Sequence, residues 1–512
     1  MAARSSVFGR LSPEHLFALV LTAVLAVRVA ALLISPLDLH FDEAQYWTWS
    51  RTLDWGYYSK PPLVAWAIRA TTAVFGDAEW AVRLAAPLAH AAGAWMVFLA
   101  AQRIYGAGPG AWAGLLWVTL PALWLSSFVI ATDALLLPLW AAALYVLLRL
   151  TERPSWSLAA LLGFAIGLGA LAKYAMLFFA PCAVLAALLS PALRRALASR
   201  YGAFAALVAA SVFAPNLAWN AAHRFQTVAH TAANANLSAG IFHPEALLEF
   251  VLAQAGVIGP VLFVCLAWRL VAAARAPRTL SEQERVLIAF ALLPLIAIAT
   301  QALLSRAHAN WAAVAYPAAI VLVVGRLARP ASGSRLLWAA AATHVAVGAL
   351  VIAVLTTPSL ADRAGVGAAL KRMRGWQEVA AEIADRTAGE HYTAVLVDHR
   401  AAYFELAYYW RDRADVPPVR AWRLHAAPEN PADAADPMRV EDGARVLVAH
   451  MYPFYAPFIA ADFRRFTPLG ASPQAVGTTD RTLTYSLGET FAPVVRDAAF
   501  EEHYRRLSGE SP

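Results

Sequence analysis

Long apolar segments recur through residues 1–356, and they restrict the fold more than any other feature of the chain. A helix needs about 20 predominantly apolar residues to cross a hydrocarbon layer of about 30 Å. The whole chain is 60% hydrophobic and only 15% charged, whereas a soluble domain has about 25% charged residues. The sequence therefore predicts an all-α polytopic membrane protein in this region. The first segment, 16–34, lacks a small-residue cleavage site, which indicates a first span rather than a removed signal peptide.

Hydropathy and helix-breaking residues predict about eleven transmembrane helices. They cover 14–35, 84–103, 110–130, 134–150, 156–172, 174–190, 203–219, 246–273, 286–304, 311–327 and 335–356. Arginines are concentrated in alternate connections between these helices, which the positive-inside rule assigns to the cytoplasm. These arginines are Arg4, Arg10, Arg103, Arg149, Arg153, Arg194, Arg195, Arg200, Arg275, Arg278, Arg285, Arg326, Arg329 and Arg335. The outer side then contains 36–83, 220–245, several short turns and the tail.

The tail after residue 356 differs from the rest of the chain because it is rich in charged residues. Two short runs alternate as strands do, and one stretch has helical spacing. They are "YTAVLVDH", "ARVLVAHMY" and "GWQEVAAEIADR". A segment rich in Pro, Ala and Asp at 426–438 is interpreted as a linker within the tail. The predicted domains are a transmembrane domain, 1–356, and a small α/β domain on the periplasmic side, 357–512.

The first outer connection, 36–83, is too charged to span a membrane and too apolar to be a free loop. Helical spacing of its apolar and aromatic residues predicts one or two amphipathic helices that lie on the outer membrane surface. The residues concerned are Gln45, Tyr46, Trp49 and Leu53 in the first helix, and Val64, Trp66, Ile68 and Val74 in the second. Pro61 and Pro62 are expected to open the second helix, since proline is tolerated in a first helical turn.

Acidic residues lie at two places on the predicted outer side. Asp42 and Glu43 occur in "HFDEAQYW", and Asp133 occurs in "TDALLLPLW". Each aspartate has a structural interpretation as a helix N-cap. For Asp42, Gln45 would complete a capping box. The alternative interpretation is functional and depends on which other charged residues lie at the same depth.

Lys60 and Lys173 are predicted at the same membrane depth as these acids, and ionisable residues near a membrane-embedded cavity are usually functional. A carboxylate can accept a proton from an attacking hydroxyl, and a cation can neutralise a phosphate leaving group. Aromatic side chains such as Tyr46 and Tyr58 can stack on a sugar face, and an apolar groove can hold a long lipid tail. Together these features favour transfer of a sugar from a polyprenyl-phosphate carrier.

Four motifs occur in an order that resembles a known family. They are "FDEAQYW", "YYSKPPLVAW", "TDALLLPLW" and "GLGALAKYAMLFFAP". As an ordered set they are similar to motifs of the family 39 protein O-mannosyltransferases and lipid A aminoarabinose transferases, which are integral membrane glycosyltransferases with the GT-C architecture. The resemblance covers about residues 14–330. It implies a lipid-phosphate sugar donor and inversion at the anomeric carbon.

The resemblance also implies roles for individual residues. Asp42 matches the position of the catalytic base, and Glu43 is expected to help shape the site. Asp133 matches a second essential acid, which binds the acceptor or orients Lys60. Lys60 itself is expected to contact the donor phosphate, and Lys173 is a further candidate for that contact.

Two other outer segments contain candidate binding residues. In "WNAAHRF" they are His223 and Arg224, and in "SRAHANW" they are His308 and Asn310. Arg224 is predicted to point toward a phosphate. The structural alternative is a solvated hinge with a snorkelling arginine for the first segment and an interfacial anchor for the second. Both alternatives stay open from the sequence.

One position departs from the resembled group and bears on metal binding. Aminoarabinose transferases carry a glutamate just before the Lys-Pro-Pro motif, where it joins a histidine in a metal site. This chain has Ser59 at that position. No metal ligand is therefore carried over, no cofactor is predicted to be required, and the role of a divalent metal stays open. The same departure argues against aminoarabinose as the transferred sugar.

The predicted function is an inverting glycosyltransferase of the bacterial inner membrane, with its site on the periplasmic side. The donor is an undecaprenyl-type phosphate sugar, and the acceptor is lipid A or lipopolysaccharide, another envelope glycan, or a protein. Nucleic acid is not an expected partner. The alternative is a transporter or flippase of lipid-linked sugars. That alternative predicts charged or broken segments at mid-membrane, often in repeated halves, whereas the acids and lysines here gather toward one face.

Overall fold

The computed structural model describes residues 12–233, 242–329, 331–476 and 479–508. Arg4 and Arg10, and part of the predicted outer connection 220–245, lie outside the described residues. The chain divides into two compact units. The first consists of Met1–Ser35 and Leu53–Ala353, and the second of Pro36–Thr52 and Val354–Pro512.

The described residues of the first unit form helices and connecting segments, without a β-strand. Its α-helices are α1 (Pro13–Ile34), α3 (Leu63–Phe75), α4 (Glu79–Arg83), α5 (Ala85–Tyr105), α6 (Ala107–Val118), α7 (Pro121–Ser126), α8 (Thr132–Glu152), α9 (Trp156–Ala172), α10 (Phe179–Leu189), α11 (Pro191–Leu197), α12 (Arg200–Ala222), α13 (Gln226–Ala233), α14 (Pro244–Ile258), α15 (Pro260–Arg275), α16 (Glu282–Leu304), α17 (Tyr316–Leu327) and α18 (Ala331–Thr356). Short 3-10 turns at Tyr174–Phe178 and Ala309–Ala315 lead into α10 and α17.

Seven helical segments in the described ranges are long and apolar enough to cross a membrane, and an eighth span is possible if one bent pair counts as a single span. Thr132–Glu152 and Ala309–Leu327 lie mostly inside the unit, whereas Arg200–Ala222 is largely exposed. Leu207 and Leu217 on that helix are largely exposed, which is typical of a surface that faces lipid. The predicted multi-pass helical membrane protein is thus confirmed.

Each of the eleven predicted spans contains helix, but two of them are not continuous. The predicted span 246–273 is two helices, α14 and α15, which meet at an angle of 116°. Gly259 has a φ of 85° at the break and Pro260 follows it, so a left-handed residue and a missing N–H interrupt the helical ladder. The predicted span 110–130 ends at Val118 and resumes at Pro121, because the residue before a proline is driven out of the helical region.

The second unit combines helices with one mixed sheet. Its helices are α2 (Phe41–Arg51), α19 (Ser359–Arg363), α20 (Trp376–Thr387), α21 (Arg400–Tyr409), α22 (Pro431–Ala435), α23 (Ala456–Ala461) and α24 (Ala498–Ser508). In its described part, the strands are β1 (Ala394–Val397), β2 (Val419–Ala421), β3 (Arg445–His450), β4 (Phe463–Val476) and β5 (Thr479–Phe491). The three sequence runs predicted as two strands and a helix form β1, β3 and α20, so these predictions are confirmed.

The sheet has the strand order β2-β1-β3-β5-β4. The strands β2, β1 and β3 are parallel, with Leu396 beside Val448, and β5 and β4 add an antiparallel edge. All four residues of β1 are buried, as expected of a central parallel strand covered on both faces. The segments that follow β1 and β3 therefore emerge at the same edge of the sheet.

The predicted linker at 426–438 is instead an ordered part of this unit. Asn430 caps α22 through a capping box with Asp433, whose carboxylate also accepts the Glu429 N–H at 3.1 Å. Met438 belongs to the hydrophobic core of the unit. The linker interpretation is wrong because Asn, Asp and Pro here supply a helix cap and a first helical turn rather than flexibility.

The region 36–83 forms helices α2, α3 and α4, so the prediction of helices there is confirmed with three corrections. α2 ends at Arg51, and Leu53 lies beyond it. Pro62 is the N-cap residue of α3 rather than part of its first turn. Val64 and Ile68 are fully buried among protein atoms, so they do not lie at a lipid interface, while Val74 on the same helix is exposed.

Candidate active site

Asp42 occupies the first turn of α2, but another residue caps that helix. His40 is the N-cap, its Nδ1 accepts the Asp42 N–H at 3.1 Å, and Glu43 completes the capping box by accepting the His40 N–H at 2.9 Å. The predicted capping box of Asp42 and Gln45 is therefore wrong. The Asp42 carboxylate is left free of a capping role at a helix N-terminus, where the helix dipole stabilises negative charge.

Arg400 is the partner of Asp42 within the second unit. Its Nη1 donates to Asp42 Oδ1 at 3.0 Å and to Gln45 Oε1 at 2.7 Å. Arg400 opens α21 directly after β1, and His399 caps that helix. Arg400 is not among the residues predicted from the sequence. The available signal was its position in "LVDHR", since polar residues that follow a parallel strand gather at the functional edge of such sheets.

The buried carboxylate of Asp38 holds the segment before α2 in the second unit. Asp38 accepts the Trp376 N–H at 2.8 Å and the Tyr409 hydroxyl at 3.1 Å. Burial raises the pKa of Asp38 from 3.8 to about 6, although the bond from Trp376 opposes this shift. The contact therefore ties the start of the Asp42 helix to α20 and α21 in a pH-dependent manner.

We expect this segment to be held more tightly at pH 5 than at pH 7.5. Because the folded-state pKa is raised, protonation favours the folded state, and its contribution is fully present below pH 3.8 and lost as the pH rises through about 6. The difference between pH 5 and 7.5 corresponds to roughly tenfold in the opening equilibrium. Hydrogen exchange of α2 in the full chain, corrected for intrinsic rates, measures it. Asp38→Asn should flatten this dependence, and an unchanged profile in that variant would refute the assignment.

Asp133 brings three distant parts of the first unit together. It lies in the first turn of α8, whose N-cap is Ala131, so the N-cap interpretation of Asp133 is wrong. Lys173 Nζ donates to Asp133 Oδ1 and Oδ2 at 2.8 and 2.9 Å, and Asn310 Nδ2 donates to Oδ2 at 2.9 Å. Of the two roles predicted for Asp133, acceptor binding or orientation of Lys60, the second is not seen, since Asp133 pairs with Lys173.

The Asp133–Lys173 pair is mostly shielded from solvent. The side chains are 16% and 25% exposed, respectively. Lys173 ends α9 in an extended conformation, just before the turn Tyr174–Phe178, which aims its side chain across to α8. An ammonium group has three hydrogens, so two bonds to Asp133 leave one donor direction for a further acceptor.

The segment that precedes Lys60 is held against α12 and α13 by polar contacts. Trp219 Nε1 donates to Asp54 Oδ2 at 2.7 Å, and Asn216 Nδ2 donates to the Trp55 carbonyl at 2.6 Å. Thr227 Oγ1 donates to the Tyr57 carbonyl at 2.6 Å. These contacts position Lys60 and Tyr58. Asp54 and Asn216 were missed from the sequence, and so was the pairing of Trp219 with Asp54, because nothing local signals these contacts.

Gly56 is required by the close approach of this segment to α12. A Cβ atom on Gly56 would lie 2.4 Å from the Trp219 ring. Gly56→Ala is therefore expected to displace the segment and to lower the stability of the protein by about 1–3 kcal/mol, with a loss of activity. Thermal unfolding of the detergent-solubilised chain measures the effect. Gly108→Ala is the matched control, since an added Cβ there meets nothing within 4 Å, and equal melting temperatures for the two variants would contradict the prediction.

The other predicted residues have the following positions. Tyr46 is buried and packs against Trp49, whereas Tyr58 is partly exposed with its ring edge toward His230 at 6.0 Å. His223 stacks on Trp219 at 3.9 Å between ring centroids. Arg224 follows it, exposed, with a φ of 53°. His308 is exposed and packs edge-on to Trp311. Across the described ranges, no group of three His, Cys, Asp or Glu side chains could hold a metal ion.

The predicted acids each have a cation partner or a capping role within their own compact unit. Asp42 and Glu43 belong to the second unit, where Arg400 joins Asp42. Asp133, Lys173 and Asn310 form a connected cluster in the first unit. Each group combines a carboxylate with a cation, as proton transfer and anion binding require.

Comparisons with known proteins find relatives among membrane glycosyltransferases. The family described as dolichyl-phosphate-mannose-protein mannosyltransferase matches residues 59–219. The lipid A galacturonosyltransferase RgtD of Rhizobium johnstonii is 38% identical over 389 residues, which are 75% of this chain and 80% of that protein.

Solved structures show a similar fold at low sequence identity. ArnT from Cupriavidus metallidurans, bound to undecaprenyl phosphate, matches with a TM-score of 0.62 and 15% identity, over 92% of this chain and 97% of ArnT. The archaeal oligosaccharyltransferase AglB from Archaeoglobus fulgidus matches with a TM-score of 0.51 and 12% identity, over 87% of this chain and 70% of AglB. These two matches concern the fold alone.

Proposed function

The chain belongs to the same family of membrane glycosyltransferases as RgtD and is a polyprenyl-phosphate-sugar-dependent glycosyltransferase, and we propose that it transfers a galacturonosyl residue to lipid A. The proposal for sugar and acceptor rests on the 38% identity to a protein described as a lipid A galacturonosyltransferase. An undecaprenyl-type donor is supported by the ArnT fold, which has been crystallised with undecaprenyl phosphate. The resemblance to family 39 in the sequence motifs is consistent with both.

Asp42 is the proposed general base. Its carboxylate takes the proton from the acceptor hydroxyl as that oxygen forms a bond to the anomeric carbon. The bond from this carbon to the phosphate oxygen breaks with its electron pair, so the sugar is inverted and the lipid phosphate leaves as an anion. Arg400 holds Asp42 Oδ1 at 3.0 Å and thereby fixes the direction in which the carboxylate faces.

The proposed partners of the donor phosphate are Lys60, Lys173 and Arg224. Cations in contact with the departing phosphate stabilise the negative charge that develops on it, so the leaving group needs no proton. The pairing of Lys173 with Asp133 supports a shared role, in which Asn310 orients the Asp133 carboxylate and that carboxylate holds the ammonium in one direction. Glu43, committed to the helix cap, has a positioning role rather than a chemical one.

The proposed location is the bacterial inner membrane, crossed about eleven times, with the active site and the domain 357–512 on the periplasmic side. Basic residues concentrated in alternate connections support this orientation. Four predicted spans are shorter or broken in the structure, at 110–130, 156–172, 174–190 and 246–273, and they would cross as bent or short helices. This orientation is tested with two single-cysteine variants, Ser472→Cys and Arg278→Cys, and a membrane-impermeant thiol reagent. When the reagent is added from the periplasmic side, we expect labelling only at position 472.

The activity is tested with purified protein, polyprenyl-phosphate galacturonate and lipid A. Mass spectrometry should detect lipid A that has gained one hexuronic acid residue, together with free polyprenyl phosphate. If the donor stays intact while the protein moves it across liposomes, the transporter alternative replaces this proposal. Release of polyprenyl phosphate without any product on lipid A would refute the proposed acceptor but keep the glycosyl-phosphate chemistry.

A further inference from the structure

Two guanidinium groups lie around the ring of Phe41, the residue immediately before Asp42. The Cζ atom of Arg400 is 4.7 Å from the ring centroid, and that of Arg372 is 5.5 Å from it. Contacts of this kind hold an arginine over an aromatic face with about 0.5–1 kcal/mol when exposed. The ring thus keeps both cations beside the proposed base without consuming their N–H groups.

Arg372 differs from the nearby Arg374 in its ion pairing. Arg374, two residues on, forms a double-pronged ion pair with Asp362, at 2.9 and 3.1 Å. Within the described ranges, the exposed guanidinium of Arg372 has no carboxylate partner and no hydrogen-bond acceptor. Its position is therefore not explained by an ion pair inside the second unit.

Arg400 also has unused donors. Both of its hydrogen bonds, to Asp42 and to Gln45, come from Nη1. In the part of the chain that the structure describes, its Nε and Nη2 have no acceptor. An arginine side chain presents five N–H donors in a planar fork, so most of this fork is open toward a ligand.

Two cations and two anions lie around Phe41, and the second anion is Glu43. Arg372 and Arg400 contribute two cations, and Asp42 contributes one nearby anion. Glu43 is turned back to cap the helix. Burial, together with the two arginines, lowers the pKa of His40 despite the opposing effect of Asp42 and Glu43. The formal charges therefore balance, and the two guanidinium groups lie beside a carboxylate proposed to accept a proton.

We propose that Arg372 and Arg400 bind an oxyanion carried by one of the two substrates, next to Asp42. The guanidinium fork matches the two oxygens of a carboxylate or phosphate. The inference rests on the proposed function, in which the substrates offer two such groups, the carboxylate of the transferred uronic acid and a phosphate on lipid A. Either group, held here, would align its sugar with the base and would discriminate against neutral analogues.

Arg372 is the residue to test because Arg400 also holds Asp42. Arg372→Ala removes one side of the site without touching the contacts of Asp42, and Arg372→Lys retains the charge but loses the fork. Arg464→Ala is the matched control, since Arg464 is an exposed arginine of the same unit, on β4. Transfer is measured from polyprenyl-phosphate galacturonate and from polyprenyl-phosphate galactose, each to lipid A with and without its phosphates.

With Arg372→Ala we expect kcat/KM to fall about tenfold for the substrate that carries the bound anion, because a charge-assisted hydrogen bond is lost. For the neutral counterpart of that substrate, kcat/KM should be unchanged. A fall that depends on the donor carboxylate identifies the uronic acid as the ligand. A fall that depends on the acceptor phosphate identifies lipid A. Arg372→Lys should recover part of the loss. Equal effects on all four substrate pairs, or no effect on any, overturn the proposal.

A binding measurement separates this inference from the proposed function. Phenylglyoxal labels accessible arginines, and peptide mass spectrometry quantifies the label at Arg372. Polyprenyl-phosphate galacturonate should protect Arg372 more than polyprenyl-phosphate galactose does, or phosphorylated lipid A should protect it more than dephosphorylated lipid A does. Arg464 should be labelled equally in all samples. If the wild-type protein transfers no sugar, the proposed function fails and this protection still decides the inference. Equal labelling of Arg372 with every lipid overturns it.

Discussion

Asp42→Asn should lower kcat for sugar transfer by roughly 10²- to 10⁴-fold while leaving KM for the donor nearly unchanged. The amide is almost the same size as the carboxylate and keeps an oxygen that can accept from Arg400, but it cannot take a proton. General bases contribute to rates within this range. Product formation on lipid A, followed by mass spectrometry over time, measures the loss.

The control for this variant is Asp415→Asn. Asp415 is an exposed aspartate of the same unit and pairs with Arg413 in an ion pair of its own. Its replacement should leave kcat within about twofold, since exposed ion pairs contribute little. If Asp42→Asn retained activity close to that of Asp415→Asn, Asp42 would not be the base, and the second carboxylate, Asp133, would become the candidate.

The second large effect is expected at the Asp133–Lys173 pair. Lys173→Met leaves a shielded carboxylate with Asn310 as its remaining hydrogen-bond donor, which should cost about 1–3 kcal/mol of stability and most of the activity. In the double variant Asp133→Asn/Lys173→Met the uncompensated charge is gone, so stability should recover while activity should not. Thermal unfolding and transfer assays on the same four proteins form a double-mutant cycle.

The exposed lysine of the tail, Lys371, supplies the matched control for this cycle. Lys371→Met removes a positive charge of the same kind from the surface. It should change neither the thermal stability nor the transfer activity. If the double variant were as unstable as the sum of the two single variants, the ion pair would not connect α8 with α9 in the way described. If the double variant recovered activity, Lys173 would serve only to neutralise Asp133.

The sequence predicted most of the secondary structure near the site but not which residues cap its helices. The spacing of Gln45, Tyr46, Trp49 and Leu53 predicts a helix, which forms at Phe41–Arg51 and leaves Leu53 outside. Its cap was misassigned because Asp is a preferred N-cap residue, whereas His40 fills this role two positions earlier. A capping pattern is a local feature, and two overlapping patterns in "HFDEAQ" compete until the backbone conformation selects one.

The partners of the acidic residues were beyond what the sequence could predict. Asp133 and Lys173 are both identified from the sequence, but their pairing is not predicted, because depth in the membrane does not specify which side chains face each other. Arg400, 358 positions away from Asp42, was not identified at all. Asn310 was selected as a binding residue, and the structure shows that it reaches Asp133.

The sequence by itself determined that this chain is a multi-pass helical membrane protein with a small α/β tail, and its ordered motifs pointed to the correct glycosyltransferase group. Hydropathy and periodicity depend only on residues that are neighbours in the sequence, so they can be evaluated without knowledge of the fold. The tertiary structure alone decided that Lys173 neutralises Asp133 and that Arg400 holds Asp42. An ion pair depends on distances of a few ångströms between residues far apart in the chain, and those distances exist only once the helices have packed.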